Sequence, residues 1–184
     1  MIKSTIRKRT YRAIYRLLDR VSPMPFDCGT ICGAACCTVA KYDESLGIML
    51  LPGEDKLHDK KAHWLTWEAL ITNEYEFPES WNGKVWFVRC QTPPVCPRHL
   101  RPMQCRSFPL LPHLSEDGEL TLVYNDFDLP YVCPMIEEEA ELDERFFKAT
   151  ETAWRHLIRD PLIYDMVWKD SRDRDRLDMD EGKE

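Results

Sequence analysis

Apolar residues at positions 2, 6, 13, 14, 17, 18 and 21, interleaved with cations, form a helical stripe. That periodicity predicts an amphipathic helix over 3–20, ended by Pro23 and Pro25. The short apolar run Gly47 to Leu51 reads as a strand, broken by Pro52-Gly53-Glu54. Leu57, Trp64, Trp67 and Ile71 follow at intervals that predict a helix over 54–73, with acids 54 and 55 at its positive end. Trp81-Asn82-Gly83-Lys84 signals a turn, and Val85 to Val88 a strand that leads into Cys90.

Further along, six of the thirteen prolines lie between Pro93 and Pro112. A segment so short of amide donors reads as a rigid irregular loop and not as a regular helix or central strand. The Asp117-Gly118 turn followed by Glu119 to Tyr124 suggests a hairpin over 110–124. Residues 136–159 carry Leu142, Phe146, Ala149, Ala153 and Leu157 on one helical face, interrupted by Asp160-Pro161. From Lys169 onward, alternating charge without apolar content reads as a frayed tail.

This pattern predicts an α+β fold, a small mixed domain with several helices, a few short strands and long Cys- and Pro-rich loops. Its expected organisation is a basic amphipathic helix at 1–22, a cysteine-cluster metal-binding domain at 23–168 and a charged, disordered tail at 169–184. At 184 residues with 43% hydrophobic and 11% aromatic content, the chain can build a core without covalent staples. No stretch approaches the roughly 18 apolar residues of a membrane span. Nor does the N-terminus reach the apolar run of about 7–15 residues of a secretory signal. A cytoplasmic location follows as the expectation.

The formal net charge of −7 hides an asymmetry. Residues 1–20 hold seven cations against Asp19, and residues 115–145 hold eleven acids against Arg145. The basic helix is expected to pack near the acidic stretch or to recruit a protein partner. With cations clustered nowhere else, a nucleic-acid partner is not expected.

Cysteines change the picture most. Cys28, Cys32, Cys36 and Cys37 fall within ten residues, and Cys90, Cys96, Cys105 and Cys133 follow singly. In a reducing compartment such a cluster reads as metal or catalysis and not as disulfides. Four thiolates on zinc, or on a 4Fe–4S cluster, leave a doubly negative site that needs nearby donors and positive charge. Arg89, Arg98, Arg101 and Arg106 flank the cysteines of the proline-rich loop, and Arg101 and Arg106 are the candidates for that role. Gly29 and Gly33 each follow a cysteine, where a chain wrapping a metal needs positive φ or close approach. Adjacent Cys36 and Cys37 point apart in extended chain, so they would serve different sites or contribute one ligand. His99 is a minor candidate ligand. The Cys-Pro steps at 96 and 133 lean towards iron.

The run Cys28…Cys32-Gly33…Cys36-Cys37, then Cys90 and Cys96, and above all Arg101-Pro102-Met103-Gln104-Cys105-Arg106-Ser107-Phe108-Pro109, resembles the YkgJ-type cysteine-cluster family. The resemblance spans roughly residues 28–134. Leu51-Pro52-Gly53-Glu54 is also similar to that group. Its members are described as zinc- or iron-chelating domains, with the flagellin lysine methylase as a relative. Carried over residue by residue, the resemblance implies that Cys28, Cys32, Cys36 or Cys37, Cys90, Cys96, Cys105 and Cys133 surround one or two metal centres. These would hold an iron–sulfur cluster, of the 4Fe–4S type, or zinc. A cluster-dependent redox or methylase-like enzyme and a zinc-organised protein-binding module are the alternatives. No catalytic residue is identifiable.

Overall fold

The structure, a computed structural model, describes residues 1–43, 45–125 and 128–181. Among them are seven helices, α1 (Lys8–Leu18), α2 (Gly29–Cys32), α3 (Ala35–Thr38), α4 (Met103–Ser107), α5 (Pro134–Glu137), α6 (Glu144–Leu157) and α7 (Pro161–Glu181). Five strands complete the α+β fold: β1 (Ile48–Met49), β2 (Leu65–Ile71), β3 (Lys84–Cys90), β4 (Leu110–Leu114) and β5 (Leu120–Tyr124). They form an antiparallel sheet in the order β1-β3-β2 and a β4-β5 hairpin. No helix among the described residues is long and apolar enough to cross a membrane.

The first helix forms where expected but is shorter, and its buried face shares Ile14 and Leu18 with the predicted stripe while adding Tyr11 and Tyr15. Tyr11, Ile14, Tyr15 and Leu18 point inward, at the i, i+3, i+4, i+7 spacing of one helical face. Ala13 and Leu17 face out. The two tyrosines fill the core because their hydroxyls find acceptors there, Pro52 O at 2.9 Å and Glu54 Oε1 at 2.5 Å. The cations on the outer face gain nothing locally. Lys8–Arg12 and Arg12–Arg16 are like-charge i,i+4 pairs costing about 0.2–0.5 kcal/mol each, and the first turn has no acid. Upstream, Ser4 Oγ, Thr5 N and Thr5 Oγ1 donate to the buried Asp160 carboxylate at 2.6–2.9 Å. Helix α1 therefore lies within the main core, packed with Met103, Leu114, Leu120, Trp154, Leu157 and Ile163.

Two expectations fail here. Residues 54–73 are not a helix. A single 3-10 turn, Glu54–Leu57, is followed by strand β2, paired along its whole length with β3 from Leu65↔Cys90 to Ile71↔Lys84. Leu65 and Leu70 are buried on β2, and its Thr66, Trp67 and Ile71 favour extended chain. The spacing of Leu57, Trp64, Trp67 and Ile71 matches a helix without making one. Nor is the tail frayed from Lys169 to Glu181: α7 runs to Glu181, Ser171 and Arg174 are buried, and residues 182–184 lie outside the described residues. Polar side chains dock this helix on the edge of β4. Leu114 N donates to Ser171 Oγ at 2.9 Å, Arg174 Nη2 to Pro112 O at 2.8 Å, and Arg172 Nη2 to Leu114 O.

Strand β3 and the hairpin match their expectations, while the long helix and the proline-rich segment depart from theirs. The predicted strand at 85–88 is the centre of β3, and the hairpin over 110–124 turns at Gly118 with φ of +79°. The single helix expected over 136–159 does not form: α5 ends at Glu137, Leu142 lies outside any helix, and α6 begins only after Asp143, whose carboxylate caps it by accepting from Arg145 N and Phe146 N. The proline-rich segment is less irregular than expected: it holds the 3-10 turn Arg98–Leu100, the five-residue α4, which begins directly after Pro102, and the start of β4, where Pro112 stands opposite Leu122.

Candidate metal centre

The Cys28–Cys37 segment is two short helical turns, α2 and α3, joined by Gly33 and Ala34, both left-handed with φ of +63° and +56°. For Ala34 that conformation costs about 1 kcal/mol. The paired reversal turns both segments towards the same hollow. Gly29 contributes through close approach, since a Cβ there would stand 3.2 Å from Asp27 Oδ1 and 3.3 Å from Ala34 Cβ. Because α3 is helical, Cys36 and Cys37 do not point apart as they would in extended chain. Their Sγ atoms stand 4.0 Å from each other.

None of the eight cysteines is in a disulfide. Cys28, Cys32, Cys36, Cys37 and Cys133 line one cavity of about 440 Å³, together with Arg101, Phe108, Tyr131 and Met135. Cys133 arrives from the N-cap of α5 and is buried. Cys96 adjoins through Arg101, whose Nε donates to Cys96 Sγ at 3.1 Å. Cys90, at the end of β3, lines a separate hollow with Lys41, Thr66, Arg89 and Gln91. Cys105 sits on α4. Four chain segments thus bring thiols to one region. They stand back from one another, and among the described residues no three His, Cys, Asp or Glu side chains are grouped tightly enough to hold a metal ion.

The thiols sense each other electrostatically. Cys105 is exposed on α4, yet the protein packed round its sulfur pushes the thiol up, and charge on Cys37, Cys96 and Cys90 would add to that shift while Arg101 opposes it. Burial likewise raises Cys90, with Cys96 and Cys37 adding to it. Cys28 is raised by burial, then by Asp27, Cys32 and Cys133. Within the adjacent pair, a hydrogen bond from Cys36 lowers Cys37 to about 6, helped by Arg101, while Cys36 is pushed up by the same contact. Tyr131, which sequence reasoning missed, is raised by burial and then by charge on Cys36, Cys133, Cys105 and Cys37. Its one sequence signal is its position two residues before Cys133.

Of the two arginines expected at the site, one is there. Arg106 turns away: its guanidinium lies over the Tyr15 ring at 4.1 Å and donates to Asp19 Oδ1 at 2.7 Å, Arg98 O at 3.0 Å and Arg101 O at 2.6 Å. In a helix, consecutive side chains diverge by about 100°, so Arg106 cannot share the direction of Cys105. It clamps α1 to the cysteine loop. Arg89 is committed to Glu68 at 2.8 Å, and Arg98 lies 3.8 Å from Asp27 in an exposed pair. His99 is exposed on the 3-10 turn.

Glu54 is the other residue that the sequence undersold. It is fully buried at the Pro52-Gly53 turn and accepts from Tyr15 Oη, Leu51 N at 2.9 Å and Met103 N at 2.6 Å. His58 lies beside it, with Nε2 3.3 Å from Tyr15 Oη. This network fixes the start of α4, and so the position of Cys105.

No protein family, curated protein or solved structure matches this chain.

Proposed function

We propose that the cysteine-lined cavity is a thiolate metal centre, taking an iron–sulfur cluster of the 4Fe–4S type or zinc, in a cytoplasmic protein of the YkgJ-type cluster family. The observation that carries this reading is the cavity itself. Five free thiols from two separate segments line it with Arg101, and the same Arg101 donates to the Cys96 thiol. The donor set fits a soft cation, because thiolates are the ligands that zinc and iron–sulfur clusters favour.

Mutual repulsion makes the argument physical. Thiols that raise one another's pKa resist ionisation together, and a bound cation reverses that penalty. Cys28, Cys32, Cys36, Cys37 and Cys133 would hold the metal from the cavity wall, joined by Cys96, Cys105 and Cys90 from the Arg101 side. Arg101 would offset the surplus negative charge. Metal binding would draw these thiols closer together than they now stand. Metal supplies Lewis acidity or one-electron chemistry at such a site. The basic face of α1 belongs to the same reading as the surface that a protein partner meets.

Single Cys→Ser substitutions test it. Structural zinc contributes about 10–16 kcal/mol of apparent binding free energy in small domains, against about 5–15 kcal/mol for a whole fold. Cys105→Ser is expected to lose metal and melting temperature together. Full metal content and an unchanged melting temperature across the Cys28, Cys37 and Cys105 variants would contradict the reading.

A further inference from the structure

All seven cations of residues 1–20 are exposed, and none is in an ion pair or side-chain hydrogen bond among the described residues. Helix α7 is the contrast. Its Lys169, Arg172 and Arg176 pair with acids of the same helix, and Arg174 reaches Pro112 O. Helical geometry places Lys8, Arg9, Arg12 and Arg16 within about 100° of circumference, a ridge about 12 Å long, with Arg20 just past the C-terminal end of α1. Ala13 and Leu17, the latter 37% exposed, flank it. The opposite face is spent in the core, so α1 cannot insert an apolar side into anything else. Like charges stacked turn on turn, without an acid in the first turn, disfavour this helix in isolation. Among the described residues no acid pairs with them.

We infer that α1 is a docking ridge for a short acidic segment of a protein partner, and that it delivers this partner beside the thiol cavity. The inference deepens the partner role proposed for α1 and does not depend on the metal. Length and surroundings select the occupant. Past Arg20 the chain turns to Pro23, whose carbonyl accepts from Asp143 N at 2.9 Å, so the exposed acids Glu137, Glu138, Glu139 and Glu141 lead up to that end. A long polyanion such as RNA, or a flat anionic membrane, would be carried over those acids; a segment of three or four turns would not. Arg106 ties this end of α1, through Tyr15 O and Asp19, to Arg98 O in the cysteine loop.

The test uses the full metal-replete chain and a labelled glutamate-rich peptide of about 14 residues, long enough to cover the ridge. Binding is expected at low ionic strength, weakening at least tenfold in R12E/R16E. The equal charge change K61E/K84E, at exposed lysines elsewhere, should alter it less than twofold. Metal content of R12E/R16E should match the unmodified chain, which separates loss of docking from loss of the centre. Three results would overturn the inference: equal weakening by both variants, tighter binding of single-stranded RNA or anionic vesicles than of the peptide, or a low-salt dimer of the free chain that R12E/R16E dissolves.

Discussion

Glu54 Oε1 accepts a 2.6 Å hydrogen bond from the backbone N–H of Met103, 49 residues further along the chain. This contact seats the start of α4, and Cys105 two residues on, against a carboxylate that also holds Tyr15 and Leu51 N. Replacing Glu54 by Leu would leave three buried donors without acceptors, at about 1–3 kcal/mol each when uncompensated. Denaturant unfolding of Glu54→Leu is therefore expected to show a loss of about 4 kcal/mol, and of Glu54→Gln roughly half that. Native stability in both would show that this carboxylate does not organise the core.

Arg101 and Arg106 separate site from scaffold. Arg101→Met removes the donor to Cys96, and outer contacts of this kind change metal affinity by about 10–100-fold; chelator competition reads that loss, with fold stability nearly unchanged. Arg106→Met breaks a buried pair with Asp19 and three carbonyl contacts, to Tyr15, Arg98 and Arg101. It should cost about 3 kcal/mol of stability and leave the affinity of the folded protein intact. The opposite assignment of effects would contradict the geometry.

Acid sensitivity should trace to His58. Burial, then Arg106, lowers its pKa from 6.5 to about 4. As pH falls from 6.5 towards 4, the unfolded chain takes up a proton that the folded chain refuses, so stability falls. Between pH 7 and pH 5 this amounts to about 2 kcal/mol. Glu54 works the other way: burial raises its pKa against the pull of its donors, so the folded chain takes up that proton first and gains stability as pH falls. His58→Gln removes the first effect and keeps the second. Unfolding titrations at both pH values should show the unmodified chain losing about 2 kcal/mol more than the variant. Parallel slopes would rule His58 out.

The charged C-terminal helix should prove structural. Ser171→Ala deprives Leu114 N of its acceptor at a buried strand edge, which is expected to cost about 1–2 kcal/mol. Protease digestion that trims residues from 169 onward without lowering the melting temperature would contradict the docking of α7.

What the sequence revealed follows from how each element earns its place. The hairpin was legible because Asp117-Gly118 supplies the left-handed residue its turn needs, and β3 because Val85–Val88 is an apolar β-branched and aromatic run. Strand β2 was not, because Trp64, Trp67 and Ile71 mimic a helical spacing while the pairing that decides the matter lies in β3. Nor was the docking of α7, since Ser171 and Arg174 are buried by hydrogen bonds to backbone and leave no apolar signature. The thiols could be named individually from their density. Their arrangement could not, as the close approach of Gly29 to Asp27 and Ala34 and the outward turn of Arg106 towards Tyr15 and Asp19 are set by tertiary packing.

The central claim is that the sulfurs gather on a metal. Elemental analysis of anaerobically purified protein, with labile sulfide and free thiols counted on the same sample, tests it most directly. The account predicts either a brown protein with iron and sulfide in equal amounts or a colourless one with stoichiometric zinc, and in both cases ligand thiols shielded until the metal is removed. A metal-free, folded protein with every thiol reactive, which takes up neither zinc nor a reconstituted cluster, would contradict it.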